Sequence, residues 1–310
     1  MHILISGGCG YIGSVLVPKL LAAGHVVRVM DIQWFGNHLQ PHKNLNVIKA
    51  DIRETFPIGE ADAVIHLANV ANDPAGDLDP KLTWEINALG MARLAERASL
   101  DGVGQFIYAS SGSVYGVSDA PQVTEKTELV PLTEYNKTKM VAERVLLSYS
   151  DKMAVQIVRP GTCCGVSPRQ RLDITVNSMV CTAHCNGEIR VVNGKQNRPN
   201  IHIEDLTDLF IWLLERPKLT GIWNAGFENL TGFEIAGIVR KLYPGLPIVE
   251  SSSRDRRSYR MNSDKLLRAG FNPVHTVSEA ASDLAKAFNT GQLKDNEQCY
   301  NLKAMPRKAA

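Results

Sequence analysis

The chain predicts an α/β fold in which helices wind doubly around a parallel sheet. Three observations carry that prediction: a glycine-rich turn between an N-terminal apolar run and an amphipathic helix, an acidic residue closing the next strand, and apolar strands that alternate with helices thereafter. The first strand, His2-Ile3-Leu4-Ile5-Ser6, runs into Gly7-Gly8-Cys9-Gly10-Tyr11-Ile12-Gly13. Val15, Leu16, Lys19, Leu20 and Ala23 follow at helical spacing up to Gly24. Gly8, Gly10 and Gly13 fit the pattern G-x-G-x-x-G, and Gly7, Gly10 and Gly13 fit the related G-x-x-G-x-x-G. Either spacing turns the chain tightly, lets backbone approach a pyrophosphate, and presents free N–H groups around Tyr11 and Ile12 at the helix start. A glycine-rich loop can also merely pack, but the strand before it and the helix after it favour the dinucleotide.

The second strand, 25–30, ends on Asp31, roughly 20 residues beyond the glycines, where a carboxylate accepts both hydroxyls of an adenosine ribose. The same carboxylate repels a ribose 2′-phosphate, so the expected cofactor is NAD rather than NADP. Further strands are predicted over 45–50, 63–67, 104–109 and 154–158, and long helices over 81–100 and 134–149. This Rossmann-type, NAD-binding unit is expected to occupy 1–165. Beyond Gly165 the pattern loosens, so 166–310 is read as a smaller substrate-binding region, with about 196–226 returning to the main sheet.

Within the first unit, Tyr135 and Lys139 stand at i and i+4 on one helix face. A phenol titrates near pH ~10, and a fixed ammonium nearby favours its ionised form, so Tyr135 is expected to exchange protons with a substrate hydroxyl. A Tyr/Lys pair on a solvated face is the ordinary alternative.

At 310 residues and 44% hydrophobic content the chain can bury a large core. A net charge of +2 without a long basic block calls for neither nucleic acid nor an anionic membrane. No apolar stretch approaches the ~20 residues of a membrane helix, and the first strand starts beside Met1, so a cytoplasmic protein without a signal peptide is expected. The six cysteines contain no C-x-x-C pair. Cys181, His184 and Cys185 share a helix, but no metal is expected there. Cys163 and Cys164 are read as buried apolar filler, with an acid–base role for Cys163 as the alternative.

Taken in order, the glycine turn, Asp31, Asp51-Ile52, His66-Leu67-Ala68-Asn69, Asn87, Ser-Ser-Gly-Ser-Val-Tyr-Gly at 110–116, Tyr135/Lys139, Arg159-Pro160-Gly161 and Arg198-Pro199-Asn200-Ile201-His202 resemble the extended short-chain dehydrogenase/reductase family, in its nucleotide-sugar epimerase and dehydratase branch. The resemblance implies that Tyr135 transfers the proton, Lys139 binds the nicotinamide ribose, and Ser111 hydrogen-bonds the reacting sugar oxygen. Asp51 and Ile52 would flank the adenine, Leu67 and Ala68 would line the cofactor, and Asn87 and Pro160 would support it. Packing is the alternative for these secondary positions. On the substrate side the resemblance points to Ser113, to Thr162 where relatives often carry Asn, and to Asn177. It also points to Arg198 and, within the segment 254–260, Arg257 as guanidinium partners of a diphosphate.

Dehydratases of this branch carry an Asp-Glu pair directly after the catalytic hydroxyl, and decarboxylating relatives keep a glutamate two residues after it. This chain has Gly112-Ser113. The resemblance therefore implies an NAD-dependent epimerase of a nucleoside-diphosphate sugar, acting at C4. A 4-ketoreductase or dehydrogenase with exchangeable cofactor is the alternative, and a non-catalytic NAD-binding regulator would have no use for Tyr135. Leu82, Ile86, Leu89 and Ala92, with Val141, Val145 and Tyr149, leave apolar faces beyond what one sheet needs, and relatives pair these helices, so a homodimer is expected.

Overall fold

The computed structural model describes residues 1–54, 56–118, 120–253, 255 and 257–305. β1 (His2–Ser6) hydrogen-bonds in parallel to β2 (Val26–Asp31) on one side, with β3 (Leu45–Lys49) outside it, and to β4 (Ala63–His66) on the other. β5 (Gln105–Ala109) and β6 (Ala154–Pro160) extend the sheet beyond β4, all in parallel. Because the chain leaves β1 toward β2 and later returns to β4 on the opposite side, the carboxyl ends of β1 and β4 open a crevice between diverging loops, the place where such sheets bind ligands.

Successive residues of a strand face opposite ways, and β1 is apolar at each. Ile3 and Ile5 pack with Leu16, Leu20 and the later Phe210 on one face, while Leu4 packs with Met91, Leu94 and Leu146 on the other. α1 (Gly13–Ala22) covers the first face. On the second, α2 (Asp73–Leu78) and α3 (Pro80–Trp84) lead through a π-helical turn, Glu85–Gly90, into α4 (Met91–Leu100), and α5 (Glu134–Leu147) lies alongside. The helix expected to reach 149 ends at Leu147, where Ser148 caps it.

The remainder builds a second layer. β7 (Thr162–Cys164) leads to α6 (Thr175–Asn186), β8 (Ile189–Val192) and β9 (Asn197–His202). α7 (Ile203–Leu214) then returns to the first face of the main sheet, and β10 (Gly221–Ala225) pairs in parallel with β6 as its seventh strand. Within 196–226, the segment expected to return to the main sheet, β10 makes that return and β9 does not. β9 lies between β7 and β11 (Glu228–Thr231) in a separate three-stranded sheet. α8 (Gly232–Leu242), β12 (Ile248–Ser251), α9 (Asp264–Arg268), α10 (Val277–Asn289) and α11 (Asn301–Ala304) complete the chain. α6, α8 and α10 bury their own core around Val180, Ile235, Val239 and Leu284. Among the described residues, no helix is long and apolar enough to cross a membrane.

Candidate active site

The crevice is an open groove that runs past the glycine turn, Asp31, Asp51 and Leu67. Its two walls are tied at the base by Ser6 of β1, whose hydroxyl lies 2.5 Å from His66 Nδ1 of β4. Gly7 follows at φ +77°, and a Cβ there would stand 2.5 Å from the Ala68 amide nitrogen; a Cβ on Gly13 would stand 2.5 Å from Gly8 Cα. The turn therefore closes only with glycine at both places. α1 starts without a side-chain cap; Gly10 N and Ser14 N donate to the carbonyls of Gly7 and Gly10, and the amides of Tyr11, Ile12 and Gly13 are the ones placed to meet an outside anion. Asp31 Oδ2 accepts from Cys9 N at 2.9 Å and Oδ1 from Gln33 N at 2.6 Å, so the carboxylate is fixed in the groove with lone pairs left for hydroxyl donors. Burial raises its pKa, and these two amides oppose that rise.

Asp51 and Ile52 line the groove, as do Leu67 and Ala68. Arg53 clasps the Asp51 carboxylate, with Nη2 to Oδ2 at 2.7 Å, and holds it below the usual carboxylate range. Asn87, carried by the π-helical turn, lies behind the wall. Its Oδ1 accepts from Val70 N at 2.8 Å and its Nδ2 donates to Val70 O at 3.1 Å, clamping the loop after β4. Pro160 closes β6 beside Gly112, where a Cβ would meet its carbonyl oxygen at 3.0 Å.

At the far end β5 delivers Ser111, the N-cap of a 3-10 turn over Gly112–Tyr115. Ser111 Oγ lies 2.7 Å from Ser113 Oγ, which donates to Asn136 Oδ1 at 2.5 Å. Tyr135 and Lys139 enter from the first turns of α5, capped by Thr133. Lys139 Nζ donates to Ala109 O at 2.6 Å and lies 5.7 Å from the Tyr135 ring centre. Burial lowers the Lys139 pKa to about 7, against the pull of Glu143. Burial likewise pushes Tyr135 up to about 12, and the Asp73 carboxylate adds to the rise, opposed by the Ser111 hydrogen bond, Arg171 and Arg257. The lowering of the phenol expected from Lys139 is thus outweighed, because both groups are desolvated in the same site. Asp73 belongs to the first turn of α2, accepts from Thr133 Oγ1 at 2.6 Å and pairs with Arg257.

Arg198 and Arg257 do come together: Asp255 Oδ2 receives Arg198 Nη2 at 2.8 Å and Arg257 Nη2 at 2.6 Å. Arg254 and Arg256 of the same segment lie outside the described residues. Two guanidinium groups on one carboxylate, with Arg257 close enough to act on Tyr135, have the chemistry to bind a diphosphate. Thr162 is half-buried on β7, paired with Asn200 of β9. Asn177 lies away from the open groove among the loops around β7. It is fully buried, accepting from Gly165 N at 3.1 Å and donating to Arg171 O at 2.8 Å and to the Tyr11 hydroxyl at 3.2 Å, so its amide locks the loop after β7 and is spent there. Burial raises the Cys163 thiol well above its ordinary value, which keeps it protonated and without a base role at neutral pH.

Sequence reasoning missed Asp73, Arg169, Arg171 and Asn301, the last three of which line the groove. The Arg-x-Arg spacing after a Gly-Val-Ser-Pro turn was the only available signal, and Asn301 had none. Among the described residues, the donor atoms of Cys181, Cys185 and Asp295 lie within 4.8 Å of one another. None of the three lines the groove, and His184 stacks instead on Phe288, with ring centres 5.0 Å apart.

Comparison with known proteins agrees with this geometry. A putative UDP-arabinose 4-epimerase of Arabidopsis thaliana is 29% identical over 263 residues, 73% of this chain and 63% of that protein. UDP-glucose 4-epimerase of Lactobacillus helveticus is 30% identical over 158 residues, 49% of this chain and 48% of that protein. The chain thus spans about half to under two thirds of the length of these curated relatives. Thermus thermophilus UDP-glucose 4-epimerase, solved with NAD, shares the fold at a TM-score of 0.85 and 24% identity, covering 93% of this chain and 99% of that one. The model of the NAD dependent epimerase/dehydratase family matches residues 3–226, most of the main sheet and the whole glycine turn, and this chain belongs to that family.

Proposed function

We propose that this protein epimerises a nucleoside-diphosphate sugar at C4 through a transient 4-keto sugar, with residues 1–165 holding NAD and 166–310 the substrate. The observation that carries the proposal is the Ser111, Tyr135 and Lys139 set without a second acid–base pair beside it. Gly112 has no side chain, Ser113 is hydrogen-bonded to Asn136, and the nearby Asp73 is engaged by Thr133 and Arg257. Elimination across C5 and C6 needs a further acid and base; transfer at a secondary alcohol does not.

The cradle fits the cofactor: the turn closes only without a Cβ at Gly7 and Gly13, which sets the following amides toward a pyrophosphate, and Asp31 is fixed to receive ribose hydroxyls. NAD supplies the hydride acceptor and donor and, when oxidised, a positive charge that favours the Tyr135 phenolate. Tyr135 takes the proton from the C4 hydroxyl and returns it after the keto sugar has turned its other face. Ser111 holds the same oxygen, and Lys139, fixed by Ala109 O, stands beside the Tyr135 ring. Arg198 and Arg257 exchange Asp255 for the substrate diphosphate.

One observation favours a second reading. A phenol raised to about 12 is an acid at neutral pH, which suits a 4-ketoreductase that only donates the proton. The ligand retained after gentle purification and released by denaturation separates the two: stoichiometric NAD supports the epimerase, whereas an empty site filled by added NAD(P)H supports the reductase.

A further inference from the structure

We infer that Arg169 binds the diphosphate of the dinucleotide, brought there by a loop from the substrate region that is fastened onto the start of α1. The fastening is explicit. Ser167 Oγ donates to Tyr11 O at 2.7 Å and lies 2.8 Å from Ser14 Oγ, and Arg169 N donates to Ser14 Oγ at 3.3 Å. The loop is thereby registered against the helix turn that faces the anion.

Arg169 is only 3% exposed, yet it lines the groove. Its guanidinium carbon sits 3.8 Å from the Phe35 ring centre, and Nη2 donates to Asn301 Oδ1 at 2.6 Å. Its Nε has no hydrogen-bond partner, an arrangement that disfavours the buried cation unless an anion joins it. Among the described residues the groove offers two cations, Arg169 and Arg171; Arg171 Nη2 also lacks a hydrogen-bond partner, but its charge is met by Asp173 at 2.8 Å, whereas Arg169 is held only by a neutral amide oxygen. Of the facing carboxylates, Asp51 is held by Arg53, and Asp31 is set for ribose hydroxyls. Burial pushes the Arg169 pKa down to about 10, as expected of a cation short of negative charge. Asn301 acts as a positioning residue: its Nδ2 donates to Ala71 O at 2.9 Å and its backbone N to Asp173 Oδ2 at 3.0 Å, so its side-chain oxygen is fixed beneath the guanidinium.

The inference rests on NAD as the cofactor. Calorimetric titration of NAD, NADP and ADP-ribose into the wild type, Arg169→Gln, Arg169→Lys and Asn301→Ala tests it. Arg169→Gln is expected to weaken NAD and ADP-ribose alike by about 10- to 100-fold, the range for a charge-assisted hydrogen bond, with partial recovery in Arg169→Lys and an intermediate loss in Asn301→Ala. Salt should weaken NAD binding to the wild type more steeply than to Arg169→Gln; should Arg169→Gln fail to fold, Arg169→Met carries the same comparison. Unchanged NAD affinity and salt slope would overturn the role. So would tighter binding of NADP than of NAD with only the NADP affinity lost in Arg169→Gln, which would place Arg169 on the ribose phosphate. A wild type that binds no dinucleotide would remove the cofactor reading itself, an outcome distinct from NAD binding that is indifferent to Arg169.

Discussion

Gly7→Ala should damage both stability and cofactor binding, and the structure sets the size of each effect. Gly7 has φ +77°, in the left-handed region where an L side chain costs ~1–2 kcal/mol. The added Cβ would lie 2.5 Å from Ala68 N, 2.7 Å from Ala68 Cα and 2.8 Å from Leu67 C. All three are backbone atoms, so relief requires the loops after β1 and β4 to separate, an overpacking strain of ~1–3 kcal/mol. The sum is ~2–5 kcal/mol of a domain stability that is itself ~5–15 kcal/mol. Because Leu67 and Ala68 line the groove, the same displacement should weaken NAD by at least ~10-fold. Gly24 is the control: at φ +84° with nothing within 4 Å of an added Cβ, Gly24→Ala meets conformational strain alone and leaves NAD affinity intact. Urea unfolding and NAD titration of both variants measure the contrast. Equal destabilisation with wild-type NAD affinity in Gly7→Ala would refute the close-approach argument.

Three further outcomes are expected. Tyr135→Phe should keep its fold and NAD affinity while turnover falls by at least ~10²-fold, the scale of a lost general acid/base; near-wild-type turnover removes Tyr135 from the chemistry. Lys139 has its pKa lowered from 10.5 to about 7, so between those values the unfolded chain holds a proton that the folded one has shed. The cost of burying its charge is therefore present in full below pH 7 and relieved as pH rises toward 10.5, so the stability of the wild type relative to Lys139→Met should increase from pH ~7 to ~9. A flat difference would show that the lysine is not desolvated. Leu89 is 53% exposed and Leu82, Val141 and Val145 remain half-buried, an apolar face that a two-fold partner would cover, so light scattering should report a dimer; a mass near 34.1 kDa would refute it.

Those features that depend on neighbours in sequence were legible before the fold was seen. Gly7, Gly10 and Gly13 announce a turn by spacing alone, Asp31 follows at a fixed remove, and Tyr135 and Lys139 meet because a helix repeats. What the sequence hides is set by distant segments. Arg169 meets Asn301, 132 residues away, and no local pattern marks their pairing. Asn177 and Asn87 have the right residue type for ligand contact, yet both amides satisfy backbone groups in loops that they clamp. β9 reads as a strand, but its pairing with β7 and β11 rather than with the main sheet depends on where the chain turns after Gly161, at a site where a Cβ would meet Pro199 O at 2.6 Å. The Tyr135 phenol misled in another way: Lys139 stands beside it as the spacing implies, but burial, invisible in one dimension, raises the phenol and lowers the ammonium together.

The most direct test of the central claim follows a deuterium label at C4 of a panel of nucleoside-diphosphate sugars by NMR, with the protein as purified and no added cofactor. The account predicts that one C4-epimeric pair reaches equilibrium with the label retained at C4, because what leaves that carbon returns to it within a single bound cofactor. Conversion that requires stoichiometric NAD(P)H, or inversion accompanied by exchange of the label with solvent, would contradict it.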